Sequence, residues 1–323
     1  MSSSQPYNYS NGRQTGFTLI ELMISLVLGL IVSAAVIQVY LINVKTSSIQ
    51  ANASELQDAS VFGLQQLEKK VRLANLGNPE TQIDDTKANG GIVLTGSNLG
   101  IMPYLNTGYL TRRAGDASVG SNGWSGISNI KDVPSDQLTI QYTNVTGAVI
   151  RDCEGVEAAV NDTIIERYFL RQATDDSSTG AIKNLVLACN AGRVNKASGT
   201  QGATVSSTFG QAGQELIVNA DQFKVLLGVQ YSKGANAGQT MYLPSSAYVA
   251  MGTDKPAIVS IKMGLIAHGT TPILGSQEQT TFTLLGQNNV LKLDTSNRKQ
   301  VRTSYETTTL LRNARVVSVS TRL

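Results

Sequence analysis

Histidine is nearly absent from this chain, and the short motifs of familiar catalytic sites are missing. The 323 residues include one histidine, two cysteines and one tryptophan. A zinc site needs about four nitrogen, sulfur or carboxylate ligands, and the spacings G-x-S-x-G, H-E-x-x-H and that of the P-loop do not occur. We therefore expect a protein that is not an enzyme and that needs neither a metal nor a cofactor. The lone His268 is better explained as a strand-end or loop residue than as a ligand or general base.

The chain also lacks a strong excess of charge of either sign. It contains 26 Lys+Arg and 23 Asp+Glu, for a formal net charge of +3. Domains that bind nucleic acid usually carry a clear basic excess, so we do not expect nucleic acid as a primary ligand. A group of bases near the C-terminus could still bind DNA, but apolar residues alternate with them, which favours a charged solvent face. These bases are Arg298, Lys299, Arg302, Arg312, Arg315 and Arg322.

Other candidate sites in the sequence are weak. The acidic pairs Asp84-Asp85 and Asp175-Asp176 could help to bind calcium, but calcium takes six or more oxygen ligands, so solvated turn residues are the simpler interpretation. Trp124 lies in a Gly/Ser-rich stretch. It could be an exposed contact or a buried anchor of that loop.

What the chain does have is a long apolar run near its start. No residue from Leu22 to Val44 is charged at neutral pH, and Glu21 directly precedes this stretch. A bilayer core needs about 20 apolar helical residues, so a transmembrane segment is expected at about residues 19–44. A carboxylate in its first turns costs roughly 2 to 3 kcal/mol in hydrocarbon, so Glu21 should have a partner. A plain membrane anchor remains open, but it would not need Gly16, Phe17 and Glu21 in this arrangement.

Residues 16–22, GFTLIEL, resemble the processing site of type IV prepilins and pseudopilins. The resemblance implies that residues 1–16 form a leader peptide and that a prepilin peptidase cuts between Gly16 and Phe17. Phe17 then becomes the N-methylated first residue, and Glu21 neutralises the terminal amine of a neighbouring subunit during assembly. An ammonium and a carboxylate that are both costly in lipid lower each other's cost when they pair. Arg13, the only charge in the leader, suits a cytoplasmic N-terminus.

The residues after the apolar run predict a continuing helix and then a β-rich head. No proline or turn cluster occurs before Gly77-Asn78-Pro79, so one helix is expected over residues 17–76 and the head over 77–323. The expected fold class is α+β, pilin-like, with the helix docked on the head. Its docking face follows three- and four-residue steps through Ile49, Ala53, Leu56, Ser60, Leu64, Leu67, Val71 and Ala74. Strand-like runs cover residues 91–94, 137–142, 148–151, 163–170, 184–189, 215–218, 223–231, 257–268 and 280–285.

Both cysteines lie in this head. Cys153 and Cys189 follow the membrane segment and would face the periplasm, which is an oxidising compartment. We therefore expect a disulfide between them. Closing a loop of nearly 40 residues would stabilise the fold by roughly 3 to 4 kcal/mol in the chain-entropy model.

Four segments of the chain together resemble PilW-type minor pilins, which are relatives of the J-type minor pseudopilins of type II secretion. They are residues 67–76, 152–155, 187–189 and 305–313. The resemblance implies a subunit that initiates type IV pilus assembly at or near the pilus tip, in support of motility, adhesion or DNA uptake. Its retained Glu21 argues against the terminal-most position.

The same resemblance implies partners and a location. The expected partners are the prepilin peptidase, other minor pilins, the major pilin, the inner-membrane assembly platform, a possible tip adhesin and, before assembly, the lipid bilayer. The chain should cross the bacterial inner membrane once, with its N-terminus cytoplasmic and its head periplasmic, before it enters the fibre. A J-like pseudopilin of a type II secretion system is the alternative, and a membrane-anchored periplasmic enzyme is a third class.

Overall fold

The computed structural model describes residues 16–100, 110–112, 126–178, 180–195, 204–206, 209–234, 236–272, 278–293 and 299–315. The chain forms two units, residues 1–48 and 49–323. One helix, α1 (Leu19–Val71), provides the described helical part of the first unit and continues into the second. Residues 1–15 of the expected leader and Trp124 lie outside the described residues.

In the first unit, every residue from Gly16 to Val44 is exposed. The side chains of this part of α1 are apolar on all sides of the helix, which is typical of a membrane span or of the interior of a helix bundle. The helix is long and apolar enough to cross a bilayer.

The second unit begins with the amphipathic half of α1. Leu56, Leu64 and Leu67 are buried, as the spacing predicts. The prediction was wrong for Ile49 and Ala53, which are exposed, while the polar Asn52 between them is 1% exposed. The reason is a specific contact: the Asn52 amide donates to the Thr271 carbonyl at 3.0 Å and accepts from the Thr271 N–H at 3.0 Å.

The helix ends at Val71 rather than at residue 76. The next turns tighten, because Leu73 and Ala74 donate to carbonyls three residues back instead of four. Asn75 then takes a left-handed conformation with φ +65° and donates its N–H to the carbonyl of Gln141. The chain therefore turns onto the sheet before it reaches Gly77.

Two antiparallel sheets make up most of the head. The described strands of the first follow the order β1-β4-β5-β6, with β7 also paired to β5. The second has the order β13-β10-β8-β9, and two hairpins, β2-β3 and β11-β12, stand apart. The first-sheet strands are β1 (Leu138–Thr143), β4 (Thr163–Gln172), β5 (Leu185–Asn195), β6 (Thr204–Val205) and β7 (Gln214–Ile217). The others are β2 (Ile150–Arg151), β3 (Glu157–Ala158), β8 (Ala220–Gln230), β9 (Thr240–Leu243), β10 (Ala257–His268), β11 (Thr281–Leu284), β12 (Gln287–Val290) and β13 (Arg302–Leu310). A 3₁₀ turn at Gly96–Leu99 and a short helix, α2 (Ser245–Val249), complete the described elements.

A long helix followed by a β-rich unit confirms the predicted fold class. Most predicted strands are present, and the run 257–268 coincides with β10. Residues 91–94 contribute an isolated bridge between Ile92 and Ile140 rather than a strand. The unpredicted strands β3, β6, β9 and β12 are two to four residues long and do not give a clear period-two pattern. The nine-residue strand β13 is also absent from the predicted runs.

The amphipathic part of α1 packs into the same core as both sheets. Leu64 and Leu67 join a cluster that includes Ile140 of β1 and Met263 of β10. Gly63 lets the helix approach β7 closely, since a Cβ there would lie 2.2 Å from Ile217 Cγ1. The head is therefore assembled around the second half of α1.

Candidate functional site

Thr18 and Glu21 form a capping box at the start of α1. The Thr18 hydroxyl oxygen accepts a hydrogen bond from the Glu21 N–H at 3.3 Å. The Glu21 carboxylate in turn accepts from the Thr18 N–H at 3.3 Å and from the Thr18 hydroxyl at 3.1 Å. This reciprocal arrangement satisfies two amides that a helix N-terminus otherwise leaves open. The Glu21 carboxylate is thereby held beside Thr18, the residue that follows Phe17.

Glu21 remains accessible from outside the chain. Its side chain is exposed, and no lysine or arginine of the described ranges forms an ion pair with it. Phe17 is 87% exposed, and Gly16 and Phe17 lie before the first helical residue. The peptide bond between them is thus outside the helix. A cation from another subunit could reach the Glu21 carboxylate. Cleavage at this bond and the assembly role of Glu21 stay predictions.

Cys153 and Cys189 form a disulfide, which confirms the predicted pairing. Cys153 follows β2 and Cys189 lies in β5, with their Cα atoms 6.2 Å apart. The bond ties the excursion at residues 144–162, which leaves β1 and returns as β4, to the middle of the sheet. Asn144 braces this excursion, because its side-chain amide donates to the carbonyls of Ala148, Ala158 and Ala159.

A buried carboxylate lies under the disulfide and was missed by sequence reasoning. Glu166 of β4 is fully buried and accepts hydrogen bonds from the Tyr142 hydroxyl at 2.8 Å, the Tyr168 hydroxyl at 2.6 Å and the Cys153 N–H at 2.8 Å. The Lys70 ammonium of α1 is 3.6 Å away. Burial raises the pKa of Glu166, although Lys70 and the two hydroxyls oppose that rise. The one available signal was an acid, followed directly by Arg167, inside a strand-like run of mostly apolar residues.

The C-terminal bases do not form one solvent face. Arg302 is 6% exposed, and its Nε donates to Asp221 Oδ2 at 2.8 Å, while Nη1 pairs with Glu278. The prediction was therefore wrong for Arg302, because β13 turns this residue toward a buried acid. Arg312 and Arg315 are exposed, Lys299 is half-buried, and Arg298 and Arg322 lie outside the described residues.

His268 belongs to the same buried network. It is the last residue of β10, as the sequence predicts for a strand-end histidine, and its Nδ1 lies 3.1 Å from Asp221 Oδ2. Asn129 donates to the other carboxylate oxygen at 2.6 Å. Burial would raise the pKa of Asp221, but the neighbouring His268, Arg302 and Asn129 lower it overall. A histidine that is 5% exposed within such a network is typical of a structural role.

The acidic pairs act in turns and ion pairs, but Asp84 and Asp85 are each 6% exposed, so the prediction of solvated residues was wrong for this pair. Asp84 accepts from the N–H groups of Thr86 and Lys87 at 2.8 and 3.0 Å, and Asp85 pairs with Lys255 at 2.5 Å. Among the described residues, no group of three or more His, Cys, Asp or Glu side chains could hold a metal ion. Asp176 accepts hydrogen bonds from Ser178, Asn184 and Gln172; burial tends to raise its pKa, but these bonds lower it overall.

Comparisons with known proteins find two family matches, one near the N-terminus and one in the head. Residues 11–37 match the prokaryotic N-terminal methylation motif, and residues 167–313 match the family described as type IV pilus-assembly protein W. No curated protein matches the chain.

Among solved structures, a type IV-like pilin from Thermus thermophilus is 11% identical with a TM-score of 0.38, over 80% of this chain and 99% of that chain. Because so low a score carries no weight, the assignment depends on the two sequence families. Residues 167–313 thus match the PilW family of type IV pilus-assembly proteins, and the same chain opens with a match to an N-terminal methylation motif.

Proposed function

We propose that this protein is a minor pilin that initiates assembly of a type IV pilus and sits at or near its tip. The observation that carries the proposal is a helix whose first half is exposed and largely apolar, which has Glu21 held by Thr18 at its start and continues into a head that matches the PilW family. In this role the protein crosses the bacterial inner membrane once, with its head in the periplasm. It then joins other minor pilins and the major pilin at the assembly platform. Its role is structural rather than enzymatic.

The chain divides by role into three parts. Residues 1–16 are a leader that prepilin peptidase removes, the helix follows from Phe17, and the head completes the chain. Support comes from the match of residues 11–37 to the methylation motif, which spans the proposed cleavage site. The Gly16–Phe17 bond lies outside α1 and is therefore accessible to a peptidase.

Glu21 neutralises the amine that cleavage creates on a neighbouring subunit. In lipid, both the ammonium at Phe17 and the carboxylate are costly, and pairing lowers the cost of each. The hydrogen bonds from Thr18 hold the Glu21 carboxylate near the start of the helix. The amine of a neighbouring subunit whose helix starts at the same height would lie close to it. An exposed carboxylate without an intramolecular ion pair in the described chain suits this role.

Mass spectrometry of the protein isolated from cells tests the processing step. The expected mature chain begins at Phe17 and carries one additional methyl group on its amine. A mature start at any other residue would overturn the proposed site.

Substitution of Glu21 tests the assembly step. Glu21→Ala should leave the protein in the membrane fraction but remove it from sheared fibres and reduce piliation. Glu80→Ala is the matched control, because Glu80 is also exposed and lies beyond the helix. Wild-type piliation in Glu21→Ala cells would contradict the assembly role.

Cross-linking from the head distinguishes the machinery. A photoreactive residue at Val149, which is 57% exposed, should capture minor pilins or a tip adhesin in intact cells. Capture of type II secretion pseudopilins instead would favour the J-like alternative. Hydrolysis of an ester, peptide or glycoside by the purified protein, abolished by one side-chain change, would contradict a purely structural role.

A further inference from the structure

Four elements of the chain meet at the carboxylate of Glu166. Tyr142 and Tyr168 contribute hydroxyl donors from β1 and β4, and the peptide N–H of Cys153 reaches it from the excursion after β2. The fourth element is α1, whose Lys70 ammonium lies 3.6 Å from Glu166 Oε1. A buried carboxylate is stable only when such donors surround it. Glu166 is therefore a common anchor for elements far apart in sequence.

Lys70 binds the excursion at a second point. Its Nζ donates to the Arg151 carbonyl at 2.5 Å, and its side chain is only 16% exposed. The last turn of α1 thus contacts the backbone at Arg151 directly and the backbone at Cys153 through Glu166. Both contacts require that residues 151–153 keep their present position.

The disulfide holds Cys153 in that position. Other contacts keep the neighbouring residues on β5 whether or not the disulfide is present: Arg193 pairs with Asp152 at 2.8 Å, and the Ala191 N–H donates to Glu154 at 2.7 Å. What the disulfide adds is the fixed placement of Cys153 itself, whose N–H donates to Glu166. Its loss would therefore act on the donor set of Glu166 without releasing the whole excursion.

We propose that Cys153, Cys189, Glu166 and Lys70 form a redox latch, in which the disulfide fastens the last turns of α1 to the head. On oxidation, the two thiols give up two protons and two electrons to a disulfide-bearing oxidant, which becomes a dithiol. The Cys153 N–H then completes the donors around Glu166, and the carboxylate holds Lys70. Reduction by a dithiol reverses each step and loosens the end of α1. The latch is independent of the pilus role.

Hydrogen exchange of the full chain in detergent micelles tests the latch. Peptides covering residues 64–73 should exchange at least fivefold faster after reduction with dithiothreitol than in the oxidised protein. Peptides covering 49–60 should change less than twofold at labelling times at which exchange reports local opening rather than global unfolding, because the Asn52–Thr271 contacts hold that region without the latch. The Cys153→Ser, Cys189→Ser double variant should behave like the reduced protein.

Lysine variants give the matched comparison. In Lys70→Met, the exchange of residues 64–73 should be fast in both redox states, with less than a twofold difference between them. Lys69→Met removes the same charge from an exposed neighbour and should keep the full redox difference. Glu166→Gln should resemble Lys70→Met, and it provides an independent variant if one of the two folds poorly.

Three results would overturn the latch. The first is no change at residues 64–73 on reduction. The second is an equal change at 49–60, which would mean that the disulfide acts through global stability alone. The third is a full redox difference that persists in both Lys70→Met and Glu166→Gln.

Discussion

At the scale of residues, the sequence located Glu21 but not the contacts that hold it. The role of Glu21 was implied by resemblance, whereas its partner Thr18 could have been read from the T-x-x-E spacing of a capping box. Glu166 could not have been found in this way, because its donors come from residues 70, 142, 153 and 168, which only the fold brings together.

Thr18→Val should loosen the start of α1. Loss of a threonine cap costs about 1 kcal/mol, so hydrogen exchange at residues 19–23 in micelles should rise roughly fivefold. Ser25→Ala is the control, because Ser25 only donates its hydroxyl to the Glu21 carbonyl, which the helix already uses. An equal effect of the two substitutions would contradict a capping role for Thr18.

Glu166→Gln should change how stability depends on pH. Burial raises the pKa of Glu166, so the unfolded chain loses this proton at a lower pH than the folded protein. Between the two pKa values the folded state binds more protons, and stability falls as pH rises through that window. The glutamine variant lacks this fall, and its stability relative to wild type should improve with rising pH, by at most about 1.4 kcal/mol per pH unit.

Urea unfolding in micelles between pH 4 and 8 measures this difference. Glu306→Gln is a control of opposite sign, because a hydrogen bond from Lys262 lowers the pKa of Glu306. Its carboxylate stabilises the fold above the unfolded pKa, and that contribution is lost as the pH falls. The free energy of unfolding of Glu306→Gln, relative to that of wild type, should therefore be lowest near neutral pH. Parallel curves for wild type and Glu166→Gln would rule out a raised pKa.

At the scale of elements, α1 changes its surroundings along its length. Two glycines show the change: a Cβ at Gly29 would meet no atom within 4 Å, whereas one at Gly63 would press on Ile217 of β7. Spacing predicted the buried leucines because they follow the helical period. It failed at Asn52, whose burial depends on one loop that the periodicity does not report.

Alanine at the two glycines should therefore have opposite effects. Gly29→Ala should stabilise the helix slightly or leave it unchanged, since alanine favours helix by about 1 kcal/mol. Gly63→Ala should destabilise the head by about 1 to 3 kcal/mol, because crowding in a packed core outweighs that preference. Thermal unfolding of both variants in the same detergent measures the difference. Stabilisation by Gly63→Ala would mean that β7 moves away easily.

At the scale of the whole molecule, composition and periodicity were sufficient for a helix followed by a β-rich head. Composition and periodicity could not predict the order of the strands, because strands distant in sequence are neighbours in the sheet: β10 lies between β13 and β8. The error at Arg302 has the same origin. Alternation with apolar neighbours indicates two faces of a strand, but only the completed sheet shows that one face meets Asp221. The disulfide was predictable because only two cysteines were present.

Removal of the disulfide should weaken the whole fold. The chain-entropy model gives roughly 4 kcal/mol for a closed loop of this length, whose ends are 36 residues apart. The Cys153→Ser, Cys189→Ser variant should unfold at a correspondingly lower urea concentration, and reduced wild type should match it. A decrease in the free energy of unfolding of less than about 1 kcal/mol would show that the unfolded chain gains little conformational freedom when the disulfide is removed.

The link between Asn75 and Asn313 has a consequence for biogenesis. The Asn75 side chain donates to the Asn313 carbonyl across 238 residues, and the Asn313 side chain donates to the Ala74 carbonyl. The turn that ends α1 has earlier partners such as Gln141, but it lacks these two contacts until residue 313 has been translated and exported. Contacts between such distant residues form slowly. The head should be most vulnerable to periplasmic proteases during that interval, and a chain that stops before Asn313 should never leave that vulnerable state.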